Sequence, residues 1–369
     1  MFAEAGRAAH FQVKPTKEVV SLSQQGIDIA ERCGELEAKA EASINIALRS
    51  DFDKSISLLQ EVAAFCIANN LLRSAARAFT NLGWLYTNYF HSLEVANQNH
   101  MQAVDISILV GDNGMLLTSL GNLAENLIGQ GHLRNVEDKL TDILHNSTVP
   151  RSQVEEFLGE LHSDLQLAKG EWIQPSEFIK SRLVKLREGR SIQVIVNNNI
   201  ALTTAYLELN RFTDVTDLSE AEAAIKENIK FGWQVIQSRF LMVTLLSRQE
   251  RIIEAHEWLT DVVNDLGQPI SRCNEVFRFK AEAELARVKR CWEEALSKNQ
   301  ALIDIYQLGG YRWQWARQLI DLGDALIGRN IPGDFEKANE TYKQSLEMFT
   351  EMEASGYIQV LEERLGEMK

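Results

Sequence analysis

Apolar residues recur along this chain with helical rather than strand spacing. In the stretch 117–128 they fall at 117, 120, 123, 124 and 127, which is one face of a helix. The turn Gln130-Gly-His132 follows. A second helical run starts at Leu133, with apolar positions at 133, 136, 140 and 143. The layout returns as Asn198–Leu209, a turn at Asn210-Arg211 and a helix from Phe212. It returns again as Ser238–Leu246, a turn over Arg248–Arg251 and Ile252–Val263. No strand-like alternation of useful length interrupts the series, so the pattern predicts helix pairs throughout.

The pairs are evenly spaced. A large apolar residue follows the turn at Phe52, Leu93, Leu133, Trp172, Phe212, Ile252, Trp292 and Phe335, in steps of 41, 40, 39, 40, 40, 40 and 43. Three positions further on stand Ser55, Ala96, Val136, Pro175, Val215, Ala255, Ala295 and Ala338, mostly small or slim. Helix-ending signals separate the units at Gly34, Gly111-Asp112, Val149-Pro150, Gly189, Gly232, Gly267 and Gly309-Gly310. Pro175 falls in a first helical turn, where a missing N–H costs little. One hairpin cannot bury its apolar face alone, whereas a stack shares one core, and small residues allow close approach. The expected units are 36–72, 73–112, 113–150, 151–190, 191–232, 233–271, 272–310 and 311–352. A cap near 17–33 precedes them, a closing helix over 354–368 follows, and residues 1–15 are expected to be loosely ordered.

The units resemble tetratricopeptide repeats. Asn81-Leu-Gly-Trp-Leu-Tyr86 matches their first-helix motif, Leu322-Gly-Asp-Ala-Leu326 repeats the Leu-Gly pair, and Ala96, Ala103 and Ala255 fit the small positions of the second helix. The period is near 40 rather than 34, a length also compatible with HEAT-type hairpins, which lack the Leu-Gly signature. With junctions such as Gly111-Asp112, the array is similar to the C-terminal helical repeats of bacterial signal-transduction ATPases and relatives of the maltose-regulon activator. The resemblance covers roughly 16–369. It implies an all-α, right-handed superhelical solenoid of about eight antiparallel helix hairpins, with a concave groove for a protein, a peptide or a small effector. No GxxxxGK[ST] phosphate loop is present.

Composition narrows the function classes. Of the 369 residues, 52 are acidic against 38 Lys and Arg, a net charge of −14. That argues against direct nucleic-acid binding, which needs a basic face. The densest basic stretch, 180–190, scatters its cations around a helix rather than in one stripe. Cys33, Cys66, Cys273 and Cys291 form no CxxC pair and no zinc spacing, which fits a reducing compartment without disulfides or bound metal. No apolar run reaches membrane-spanning length and residues 1–15 lack a signal-peptide core, so a cytoplasmic protein without membrane contact is expected.

No nucleophile can be paired with a base, no cofactor motif occurs, and the reading is non-enzymatic. The candidate partner-binding residues are Asn81, Trp84, Asn122, Asn198, Trp313 and Arg317. Asn81 and Asn122 each precede a Leu in a first helix, with Asn198 a few residues out of register. In some tetratricopeptide proteins Asn at this place clamps a peptide backbone, a role suited to an amide that donates and accepts. Helix capping or bonding between repeats is the alternative. Trp313 and Arg317 share a helix face in Tyr311-Arg-Trp-Gln-Trp-Ala-Arg317, an aromatic and cationic run of the kind found at interface hot spots. Packing of Trp313 on the preceding repeat is the alternative there. Overall acidity favours a basic or neutral partner. A scaffold in signalling or regulation leads. A sugar or metabolite sensor follows, which aromatics clustered near Trp84, Trp233 or Trp313 would favour.

Overall fold

The computed structural model describes residues 2–11, 15–189, 192–213, 215–266 and 270–368. Within them the chain is all-α, with nineteen helices and no strand. Two helices lead, α1 (Phe2–Phe11) and α2 (Thr16–Cys33). Eight pairs follow: α3 (Leu36–Ala47) and α4 (Phe52–Ala68), α5 (Leu72–Asn88) and α6 (Leu93–Val110), α7 (Asn113–Gly129) and α8 (Val136–His145), α9 (Arg151–Lys169) and α10 (Ile173–Gly189), α11 (Ile192–Phe212) and α12 (Ser219–Phe231), α13 (Val235–Arg248) and α14 (Ile252–Asn264), α15 (Arg272–Val288) and α16 (Trp292–Gly309), α17 (Arg312–Arg329) and α18 (Asp334–Met352). Helix α19 (Ser355–Glu367) closes the series. Among the described residues no helix is long and apolar enough to cross a membrane.

Local chemistry sets the boundaries. Asp51, Ser92 and Ser271 cap α4, α6 and α15, each accepting a hydrogen bond from the backbone N–H three residues on. Among the described residues, six of the eight pairs place a turn residue in the left-handed region: Phe90, Gly131, Gly170, Glu250, Arg290 and Asn330, the last joined by Gly333. These positions lie two to five residues ahead of the large apolar residues that mark the repeat, so the turn itself is periodic.

Small residues do the close packing. Ser55, Ala96, Ala255, Ala295 and Ala338 are each 0–1% exposed. Polar side chains bond from one first helix to the next at nearly one repeat's separation. Thr80 and Ser119 share a hydroxyl bond at 2.8 Å, Thr87 Oγ1 donates to Asn126 Oδ1 at 2.7 Å, and Gln237 Nε2 donates to Asn274 Oδ1 at 3.0 Å. Wholly or partly buried, such bonds help fix the register of the stack.

The chain divides into two compact units, Met1–Leu127 with Asn135–Leu161, and Ile128–Arg134 with His162–Lys369. The first has a core of Ile44, Leu59, Cys66, Ala78 and Leu82, with Phe52 set against Tyr89 at 4.7 Å between ring centres. The second has a core of Phe240, Val243, Leu246, Ala255, Val262 and Leu285.

Two features differ from the sequence reading. Residues 2–11, expected to be loose, form α1, which packs on α2 and α3; the run is rich in alanine, the strongest helix former. The fifth pair does not turn at Asn210-Arg211. Helix α11 runs on through Phe212, because Arg211 is buried against carboxylates of the second unit. Leu218 and Ala221, both nearly unexposed, then take the core places expected of Phe212 and Val215. Beyond the consecutive pairs, the second unit also makes contacts between helices far apart in sequence. Trp313 Nε1 on α17 donates to the Ala168 carbonyl of α9 at 2.7 Å, Arg317 binds Glu208 of α11, and Tyr357 of α19 stacks edge-on against Trp172. The junction expected at Gly267 lies outside the described residues.

Candidate functional site: an arginine-lined cleft in the second unit

The residues singled out from sequence are mostly engaged within their own unit. In the first unit, the Asn81 amide donates to the Arg77 carbonyl at 2.7 Å, one turn back on its own helix. Asn122 is half-buried and Trp84 is exposed. In the second unit, Asn198 Nδ2 donates to the Val194 carbonyl at 2.9 Å, and its Oδ1 accepts from Arg182 at 3.3 Å. Trp313 gives its N–H to Ala168, and its ring meets Tyr357 at 5.8 Å between centres. Arg317 grips Glu208 with two bonds, of 2.8 and 3.0 Å, reaches Asp321 at 3.0 Å and lies over the Phe212 ring. Trp313 and Arg317 thus fasten the last pair of helices to the first ones of their unit.

A different set of residues converges. The first helices of the pairs in the second unit all carry a cation in their last turn: Lys169, Arg211, Arg248, Arg287 and Arg329. Cations at helix C-termini complement the helix dipole. The dipole alone does not explain the pattern, because α3, α5 and α7 carry none. Stacking brings three of them, Arg211, Arg248 and Arg287, together as a column around Glu284.

Carboxylates inside the column are shared. Glu284 lies 2.6 Å from Arg248 Nε and 2.5 Å from Arg287 Nη2, with Arg211 at 3.8 Å. Asp324 binds Arg211, takes Nε of Arg364 at 2.9 Å and accepts the Tyr342 hydroxyl at 2.6 Å. Burial works against these charges, yet Arg248, Arg287 and Arg211 hold the Glu284 carboxyl below its ordinary value. Likewise Arg211, Arg364 and Tyr342 hold Asp324 well below its own against burial. Arg248 bears the cost. Burial pushes it down to about 10, and the neighbouring Arg211 and Arg287 add to that against the pull of Glu284. Its Nε is close to Glu284 but off the bonding direction, so neither Arg248 Nε nor Arg211 Nε has an aligned acceptor.

Two connected hollows open here, sharing Arg248, Arg287 and Trp292. One, of about 460 Å³, is bounded also by Glu250, Arg290 and Gly328. The other, of about 700 Å³, extends past Arg211, Asp324 and Arg364 to Phe335. The Trp292 indole lies directly on the Gly328 backbone, where a Cβ would run into the ring. Ile327 and Phe335 are 40% and 47% exposed at the mouth. Five arginines line the two hollows (Arg211, Arg248, Arg287, Arg290, Arg364) against three carboxylates (Glu250, Asp324, Glu367), in a chain whose net charge is −14. Among the described residues no group of His, Cys, Asp and Glu is arranged to hold a metal ion. Guanidinium groups stay protonated, so this lining can bind and orient an anion but offers no general base.

Sequence reasoning missed this cleft because it looked for basic residues in a continuous run. The signal was there, as one cation per repeat just before the turn.

No protein-family model matches the chain, and no curated protein matches it. Solved structures do. The crystal structure of yeast Tom70 aligns over 100% of this chain and 91% of its own, at 11% identity and a TM-score of 0.37. A circular tandem repeat protein with novel repeat topology and enhanced subunit contact surfaces aligns over 95% of this chain and 90% of its own, at 14% identity and a TM-score of 0.22. Likenesses of this size leave the fold to be read from the helices themselves.

Proposed function

We propose that this chain is a non-catalytic binding scaffold, and that a segment of a partner protein seats in the cleft of the second unit. One observation carries the reading: an open cleft with a cationic floor, an indole wall and exposed apolar residues at its mouth. Buried aromatic and arginine anchors of this kind dominate the energy of protein interfaces. A place in signalling or regulation rests on the resemblance of the repeats alone.

The volume of the smaller hollow favours one competing reading, a metabolite sensor, since small-molecule sites run from about 300 to 1,000 Å³. Panning a displayed peptide library on the purified chain separates the two. The scaffold reading expects enriched peptides whose affinity drops about tenfold or more with Trp292→Ala or Phe335→Ala, the scale of a lost interface anchor. Enrichment that ignores both substitutions, or no enrichment at all, contradicts it.

A further inference from the structure

The smaller hollow has a chemistry more specific than a general docking surface. Arg248 reaches it from one repeat and Arg287 and Arg290 from the next, and Trp292 closes one side. The first two share Glu284 with Arg211, so one carboxylate serves three guanidinium groups. Arg290 is exposed and holds no ion pair among the described residues. Its backbone stands in the left-handed region at φ 59°, on the turn between α15 and α16. Arginine presents planar paired donors, which suit the paired oxygens of a carboxylate or phosphoryl group.

We propose that this hollow is an oxyanion site, taking a carboxylate or phosphoryl group between Arg248, Arg287 and Arg290 while the adjoining apolar part of the ligand lies on Trp292. It rests on the cleft being the seat of a partner and names what that partner must present: an acidic or phosphorylated side chain next to an apolar one. The acidic charge of the whole chain implies a basic partner, and the local field at this edge reverses that preference.

The test is calorimetric titration of the full chain at low ionic strength with three probes: inorganic phosphate, a peptide with adjacent glutamates beside a phenylalanine, and its glutamine counterpart. The acidic peptide is expected to bind at least about tenfold more tightly than the glutamine peptide, as loss of charge-assisted bonds implies. It is also expected to weaken steeply with added salt. Phosphate competing with the acidic peptide assigns the site to any oxyanion, and competition by carboxylates alone narrows it to acidic side chains. Arg290→Glu should weaken the acidic peptide about tenfold with an unchanged melting curve, because Glu250 already occupies the equivalent left-handed turn position one repeat earlier. Equal binding of the two peptides, or an Arg290→Glu chain that binds as the parent does, overturns the proposal. The two readings fail separately. Uncharged library peptides that still need Trp292 leave the partner seat standing and remove the oxyanion site. Phosphate binding through Arg290 with no peptide bound does the reverse.

Discussion

At Gly83 and Gly323 the second helix of the pair lays a ring on the first. A Cβ on Gly83 would sit 2.5 Å from the His100 ring, and one on Gly323 would run into Tyr342. The Leu-Gly pairs in the sequence are therefore close-approach points, a role the motif announced without naming the ring, which lies 17 to 19 residues downstream. Helix propensity alone predicts that Gly83→Ala stabilises the chain by up to about 1 kcal/mol. Overpacking predicts a loss of about 1–3 kcal/mol, and we expect the loss to win. Urea unfolding decides, and a gain in stability would refute the close-approach account. His100 is fully buried with both ring nitrogens unpaired, and burial pushes it down to about 4 from an ordinary 6.5. The unfolded chain thus binds an extra proton between these values. Stability is complete above pH 6.5, declines as pH falls, and is lower by about 3 kcal/mol near pH 4. His100→Leu should flatten that slope in a pH series of urea titrations; a slope that survives the substitution belongs to other groups.

Helix by helix, the even spacing of large apolar residues made the eight pairs legible, and the helix-ending glycines located most junctions. The fifth pair was misread because Phe212 looked like the start of a second helix. What moves it is Arg211, whose acidic partners Asp321 and Asp324 lie more than a hundred residues away. Trp313 and Arg317 were noticed as an unusual run. Their contacts with Ala168 and Glu208 span 145 and 109 residues, beyond any local signal. The arginine column depends likewise on which helix ends are stacked together. Its weakest link is Glu284 on α15. Glu284→Gln removes the carboxylate shared by two buried guanidinium groups, Arg211 and Arg248, and the half-buried Arg287, at an expected cost of about 3–5 kcal/mol. Urea unfolding followed by tryptophan fluorescence reads this directly, and a loss below about 1 kcal/mol would show that the shared carboxylate is incidental.

For the molecule as a whole, the overall charge and the lining of the proposed seat favour different partners. A net charge of −14 describes the average surface and says nothing of one edge where arginines gather. Periodicity was a good guide to the fold and a partial one to the surface, because it locates positions that stack but not the partners that consume them. The central claim is that the second unit's cleft receives an acidic, partly apolar segment. The most direct measurement is nuclear magnetic resonance of the arginine Nε–H groups during titration with such a peptide. The account predicts that Arg248, Arg287 and Arg290 shift together and saturate with the binding isotherm, while Arg77 in the first unit stays still. Saturated peptide binding that leaves those three signals unmoved would contradict it.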